Sequence, residues 1–279
     1  MLIRTIYWAA ALAAALLLTC PLRAEEPYWT HFRAHNASMA EVQPSWMGPI
    51  TQTDARLAQA LRFSVANWTA GNTRTIDYGN NHGITMVFRR RWQLEVDQPP
   101  FFRYHSATRS DGFANVLSQV KYRVASGNAQ HGNYAVSAIL GNGFGPRAER
   151  NGARSATFDP SISAGKLLGR LALITQVGGT LPVARLSQQG RSFNWTMTHQ
   201  LHVGTRYWFD VENNFHHKFG GPDDGRTQNF VTPAAFYMIR RKSWGPSHAL
   251  YIFDCGEQIA TTRFHTRDHN VIAELRILY

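Results

Sequence analysis

Cysteine is almost missing from this chain of 279 residues, which holds only Cys20 and Cys255. Cys20 lies in a stretch that reads as a secretory signal. The exported chain would then carry Cys255 alone and must be stable without an internal disulfide. Long apolar runs are missing too. The single candidate, Trp8 to Leu18, falls short of the ~20 residues of a spanning helix, and no later run approaches that length, so a helical membrane protein is excluded. Acid is sparse: 18 Asp and Glu stand against 29 Lys and Arg. The bases are scattered rather than clustered, which argues against nucleic acid as a partner and fits a surface that meets anionic lipid headgroups.

The front of the chain has the three parts of a signal peptide. Arg4 supplies the positive start, Trp8 to Leu18 the apolar centre, and Leu22-Arg23-Ala24 a small residue at the cut. Cleavage is expected after Ala24. The signal takes away two arginines and no acid, leaving 27 basic and 18 acidic residues and a net charge of +9. The remaining length, about 255 residues, is long for one soluble core and ordinary for one barrel.

The end of the chain is the most regular part. Val271, Ala273, Leu275 and Ile277 are apolar and lead to the terminal Tyr279, while Ile272, Glu274, Arg276 and Leu278 fill the alternate places. A period of two describes a strand with one apolar and one wetter face. A terminal aromatic after such a run resembles the insertion signal of bacterial outer-membrane barrels. That resemblance implies outer-membrane lipid and the barrel-assembly machinery as partners. The alternative is the last strand of a soluble exported sandwich.

From residue 58 onward alternating segments of strand length follow one another, with turn residues between them. Phe193, Trp195, Met197, Leu201 and Val203 oppose Asn194, Thr196, Thr198, Gln200 and His202. Tyr207, Phe209, Val211 and Phe215 oppose Arg206, Asp210, Glu212 and His216. The segments number about twelve: 58–70, 74–88, 91–102, 112–124, 132–143, 157–168, 170–180, 193–204, 206–217, 229–240, 247–257 and 268–279. Apart from the tight first link, short and long connections alternate, as in an up-and-down barrel with short periplasmic turns and longer outer loops. The sequence thus predicts an all-β chain: a signal over 1–24, an arm over 25–57, and a transmembrane antiparallel barrel over 58–279. The arm, punctuated by Pro27, Pro44 and Pro49, has no period. It is expected to tuck into the barrel or lie beneath it as a periplasmic arm or plug, or to be a disordered leader.

The wet face predicts the lumen. Glu95, Lys121, Arg123, Arg206, Asp210, Glu212, Glu274 and Arg276 all fall on it, and charges of both signs in a narrow interior are expected to pair. No catalytic residue, metal site or cofactor is expected. His105-Ser106 and Thr198-His199 are neighbours in strands and point to opposite faces, so neither forms a nucleophile–base couple. His216 and His217 diverge for the same reason. Gly141-Asn142-Gly143-Phe144-Gly145 is too loose for a phosphate loop.

Several short runs carry a family resemblance: Gly112-Phe113-Ala114-Asn115, Gln119-Val120-Lys121-Tyr122-Arg123, Phe158-Asp159-Pro160-Ser161 with Gly165-Lys166, Glu212-Asn213, and Thr232-Pro233-Ala234. Over roughly 60–279 the chain resembles a bacterial outer-membrane barrel family linked by name to the phenol meta-degradation pathway. That family is similar in architecture to the larger fatty-acid and aromatic-hydrocarbon channels. The resemblance implies a narrow channel or uptake protein in the outer membrane for small solutes, aromatic or hydrophobic ones among them. A plugged structural barrel and a soluble binding sandwich are the other readings.

Overall fold

The computed structural model describes residues 27–79, 83–106, 109–144, 155–240 and 249–279. The signal segment and its expected cut lie outside them. The described chain forms one antiparallel sheet that closes on itself. Its first strands are β1 (Ala60–Ala70) and β2, in two segments, Thr73–Tyr78 and Gly83–Arg89. Next come β3, as Trp92–Asp97 and Phe101–His105, and β4, as Gly112–Phe113 and Val116–Gly127. The rest are continuous: β5 (Tyr134–Phe144), β6 (Thr157–Leu168), β7 (Leu171–Pro182), β8 (Arg191–Val203), β9 (Tyr207–Phe219), β10 (Thr227–Arg240), β11 (Leu250–Ala260) and β12 (His269–Leu278). Each strand pairs with the next, and β12 pairs with β1 from Ala60 opposite Leu278 to Thr69 opposite His269. Among the described residues the protein is therefore a closed barrel of twelve antiparallel strands. Closure leaves no open edge, because every strand finds a neighbour on both sides.

The period of two decides which face is which. On β9, Tyr207, Phe209 and Val211 are about half exposed on the outer wall, while Asp210, Glu212 and Asn214 are buried inside. On β12, Val271 and Ala273 face out, and Asn270, Ile272, Glu274 and Arg276 are buried. The outer wall is apolar nearly all the way round, and the interior carries most of the polar side chains. This is the inverse of a soluble sandwich, which hides its apolar face.

Both ends of the barrel strands lie at one mouth, where β1 begins and β12 finishes. Among the described residues the links at that mouth are 90–91, 128–133, 169–170 and 204–206, while 183–190, 220–226 and 261–268 at the far mouth are longer. The tightest near-mouth turns place Gly169 and Gly204 at φ 62 and φ 63, a left-handed backbone that glycine adopts without a Cβ penalty.

The stretch before the barrel is more ordered than its sequence suggests. Helix α1 (Pro27–Ala40) occupies part of the segment for which no regular structure was expected. Proline is well tolerated at a first helical turn, where its missing N–H has no intrahelical partner anyway. The helix lies at the near mouth, with the Phe32 ring edge-on to Tyr279 at 6.2 Å and Asn36 accepting from Gln59. Met39 is buried with Leu57 and Val87.

Candidate functional site

Residues 43–59 have no helix or strand, and they run through the interior of the barrel. A chain without its own ladder must find partners for its backbone polar groups elsewhere. Here the inner wall supplies them. Glu212 of β9 accepts from the Ile50 N–H at 2.5 Å and the Thr51 N–H at 2.9 Å, and also from the Thr51 hydroxyl. Gln200 accepts from the Met47 N–H at 2.7 Å, Gln176 from the Thr53 N–H at 3.0 Å, and Gln93 from the Ala58 N–H at 2.8 Å. The carbonyls are held as well. Ser163 donates to Thr53 O at 3.0 Å, Ser137 to Ala55 O at 2.5 Å, and Lys121 to Arg56 O at 3.0 Å. Arg276 donates to Gly48 O and Pro49 O. The inner wall thus grips the main chain of this plug from strands β3 to β9 and β12.

Apolar contacts seat the plug at the near-mouth half. Trp46, Met47, Ile50 and Ala55 form one buried cluster with Ala135, Ile174, Trp208, Phe236, Met238 and Ile252 of the wall. Trp46 is the anchor: 2 % exposed, with its indole N–H donating to Asp54 at 2.8 Å and the Arg56 guanidinium 5.4 Å over its ring. Gly165 makes the space. A Cβ built there would lie 2.8 Å from two ring carbons of Trp46. Gly165→Val should therefore unseat Trp46, with the outer wall unchanged. Trp46→Ala removes the same contact from the other side, at about 3–5 kcal/mol. Tryptophan quenching by acrylamide checks the glycine variant, in which a loosened Trp46 becomes accessible, and the melting temperature in detergent checks Trp46→Ala. Unchanged quenching in Gly165→Val would show that the ring does not rest there.

Charge concentrates on the arc from β11 through β12 and β1 to β3. Arg62 donates to Glu274 at 2.5 Å and lies 3.8 Å from Glu95. Arg276 Nε lies 2.8 Å from Asp254, and its terminal nitrogen donates to Glu274 at 3.2 Å. All five groups sit in the interior, where an ion pair is secure only when its remaining lone pairs and protons also find partners. At the far-mouth rim, His265 donates from Nδ1 to Thr262 O and from Nε2 to the Asp268 carboxylate, both at 2.7 Å. Those bonds raise the imidazole above its usual range, the backbone carbonyl first and the carboxylate second.

The plug does not fill the lumen. On the far-mouth side a cavity of about 410 Å³ lies over Ile50 to Thr53, and on the near-mouth side one of about 210 Å³ lies beneath them. Gln52, Thr53, Arg62 and Glu95 border both. The thinnest partition between the two mouths is therefore the gap between the plug and the β1–β3 wall.

Of the residues placed in the lumen by sequence, Glu95, Lys121, Arg123, Asp210, Glu212, Glu274 and Arg276 are buried inside the barrel. They are not one cluster. Glu95, Glu274 and Arg276 belong to the ionic arc, Lys121 and Glu212 hold the plug, and Gln200 donates to Asp210 at 3.3 Å. Arg123 stands near the mouth, donating to Arg90 O at 2.5 Å and to Gln43 at 3.2 Å. Arg206 is a correction. It is exposed in the turn before β9 and reaches toward the Tyr237 hydroxyl, 3.5 Å away on the outer wall. Alternation does not carry through a turn, because its backbone leaves the pleat.

The C-terminal positions Val271, Ala273, Leu275 and Ile277 share the outer face of β12, and Tyr279 follows it. His216 engages Asn194 at 2.8 Å and His217 engages Thr227 at 2.7 Å, so the two rings serve different neighbours. Sequence reasoning missed Arg62, Asp254, Gln93, Gln200 and the seryl grips. Their one signal was inward parity, which the plug's partners share with any wetted lumen residue.

No family model matches the chain, and no curated protein matches it. Solved structures do. The chain is similar to the NanC porin, at 8% identity and a TM-score of 0.52, over 78% of this chain and 98% of that one. It is also similar to an outer membrane channel from Pseudomonas putida F1, at 12% identity and a TM-score of 0.56, over 84% of this chain and 100% of that one. At such identities the likeness is one of fold: this chain folds as outer-membrane channels do.

Proposed function

We propose that this protein is an outer-membrane channel whose passage is closed by its own N-terminal segment, and that it takes up a small solute. The observation that carries the reading is the pairing of an apolar outer wall with an interior in which the plug is hydrogen-bonded at both N–H and C=O groups. Only a surrounding hydrocarbon stabilises such a wall, since leaving Phe63, Phe88, Ile162, Phe209 and Val271 at 47–59 % exposure in water would forgo about 25 cal/mol for each Å² of apolar surface. The folds of the NanC porin and of the Pseudomonas putida channel agree with this reading. Planar-bilayer recording of the refolded chain tests it. The expected result is small, intermittent current steps from the intact protein. The reading fails if neither the intact chain nor one lacking residues 27–57 passes any ion, and a plugged structural barrel then becomes the better account.

Export through a signal cleaved after Ala24, and insertion through the barrel-assembly machinery, belong to the same proposal. The support for the second step is the apolar outer face of β12, which closes the barrel against β1. Deleting Tyr279, or placing aspartate at Leu275 and Ile277, should stop insertion and leave periplasmic aggregate. A heat-modifiable barrel recovered normally from the outer membrane after these changes would refute it. The resemblance to the phenol-pathway family suggests aromatic or hydrophobic solutes, but the lining of the lumen favours another chemistry.

A further inference from the structure

The far-mouth cavity is walled mostly by polar side chains, with Ile50, Leu117, Ile139, Pro160 and Ile272 as its apolar part. Eight carboxamides border it, those of Gln52, Gln119, Asn142, Gln176, Asn194, Asn214, Gln258 and Asn270, with hydroxyls from Thr51, Thr53, Ser118, Ser161 and Thr196 between them. Among the described residues that line it there is no Phe, Tyr or Trp. Sites for apolar ligands are built mainly of hydrophobic and aromatic side chains with a few polar groups to orient the ligand; here that proportion is reversed. The charges in the wall are mixed: Arg62 and Arg267 stand against Glu95, Asp97 and Asp159. Arg62 is already bonded to Glu274. With two bases against three acids the wall differs from neutral by a single negative charge, too small a bias to select a charged solute.

We infer that this cavity is the entry site of the channel proposed above and receives a small, neutral, polyhydroxylated solute of the sugar or polyol class. A carboxamide offers both donors and an acceptor, and a hydroxyl is donor and acceptor at once, so the two groups match in either orientation. Within the wall, Gln52, Asp97 and Asn270 each hold a buried oxygen, and Asn214 a buried nitrogen, without a hydrogen-bond partner. Side chains in that state gain from turning toward a hydroxylated guest. An aromatic hydrocarbon would strip water from the amides and return no hydrogen bond, which is the costly way to bury polar groups. The volume, about 410 Å³, lies in the lower part of the ~300–1,000 Å³ range of small-molecule sites.

The inference rests on the channel reading, and saturation-transfer NMR on the full chain in detergent separates the two because it reads binding without current. Sorbitol, glucose and phenol are the probes. Sorbitol and glucose should bind, phenol should not, and Asn142→Leu or Gln258→Leu should weaken polyol binding by about three- to tenfold. Asn142→Ser, which puts a hydroxyl in place of the amide, should retain part of it. Heat-modifiability on gels shows that each variant is folded, and Phe209→Leu on the outer wall should bind as the parent does. Phenol binding more tightly than either polyol overturns the inference. Binding of none of the three overturns it as well, while bilayer current from the same preparation would leave the channel reading standing. Polyol binding, with no current from either the intact chain or the one lacking residues 27–57, supports the site and sinks the channel.

Discussion

Deletion of residues 27–57 should raise the single-channel conductance several-fold and make it steady. A twelve-stranded barrel lies between the eight-stranded kind, which its own side chains fill, and the porins of sixteen or more strands with water-filled lumens. In this protein the plug accounts for the difference. Without it the two cavities on either side of Gln52 and Thr53 merge into one passage. Stability should fall at the same time. Trp46, Met47 and Ile50 are each at most 6 % exposed, and burying three such side chains contributes about 5–9 kcal/mol as an upper figure. Their partners Trp208, Phe236 and Ile252 would meet water. Bilayer recording and the melting temperature in detergent read the two effects together. A deletion variant that inserts, melts lower and conducts no better than the parent would place the barrier in the wall.

Glu212→Ala should release the middle of the plug and leave both of its ends attached. The carboxylate has 0 % exposure and accepts from two consecutive backbone N–H groups and a hydroxyl. Removing it takes the acceptor from the buried Ile50 N–H and the half-buried Thr51 N–H, at about 1–3 kcal/mol for the buried one. Trp46 in its Gly165 socket and the mutual bonds of Gln43 and Leu57 should keep the flanks seated. The expected phenotype is flicker: brief openings in place of the steady current of the deletion. Glu212→Gln keeps an acceptor and should lie between the two. Amide exchange offers an independent readout, since the Ile50 and Thr51 amides should lose protection while the strand amides keep theirs. Protection at Ile50 and Thr51 equal to the parent's would show that the carboxylate does not hold the plug.

The barrel was legible because its signal is local. Each strand buries one face and exposes the other, so Tyr207, Phe209 and Val211 against Asp210 and Glu212 mark the two faces within six residues, and strand length, aromatic ends and the rhythm of short and long connections pointed to the apolar face as the outer one. The closing pair, β12 with β1, was legible only indirectly, through an alternation that runs to the end of the chain. The plug was not legible in the same way. Its partners are 35 to 228 residues away, its own sequence has no period, and the side chains that grip it bond to main chain, which looks the same at every residue. The ionic arc was half seen. Glu274 and Arg276 stood out as charges in an apolar strand, but Arg62 of the facing strand and Asp254 were not brought to them, because register is a property of pairs. Arg206 was misplaced by extending a strand rule one residue into a turn.

A seat made mostly of backbone contacts has a consequence for how this chain can change over time. Substitutions at Pro49, Ile50, Ala55 or Ala58 leave in place the N–H or C=O that the wall holds, provided their bulk fits, whereas Gln93, Gln200 and Glu212 have no such latitude. Drift should therefore accumulate in the tethered segment and spare the wall. By the same logic the segment is exchangeable: a free peptide of residues 43–59, added to a barrel that lacks its own, has every group it needs to reoccupy the seat and shut the current.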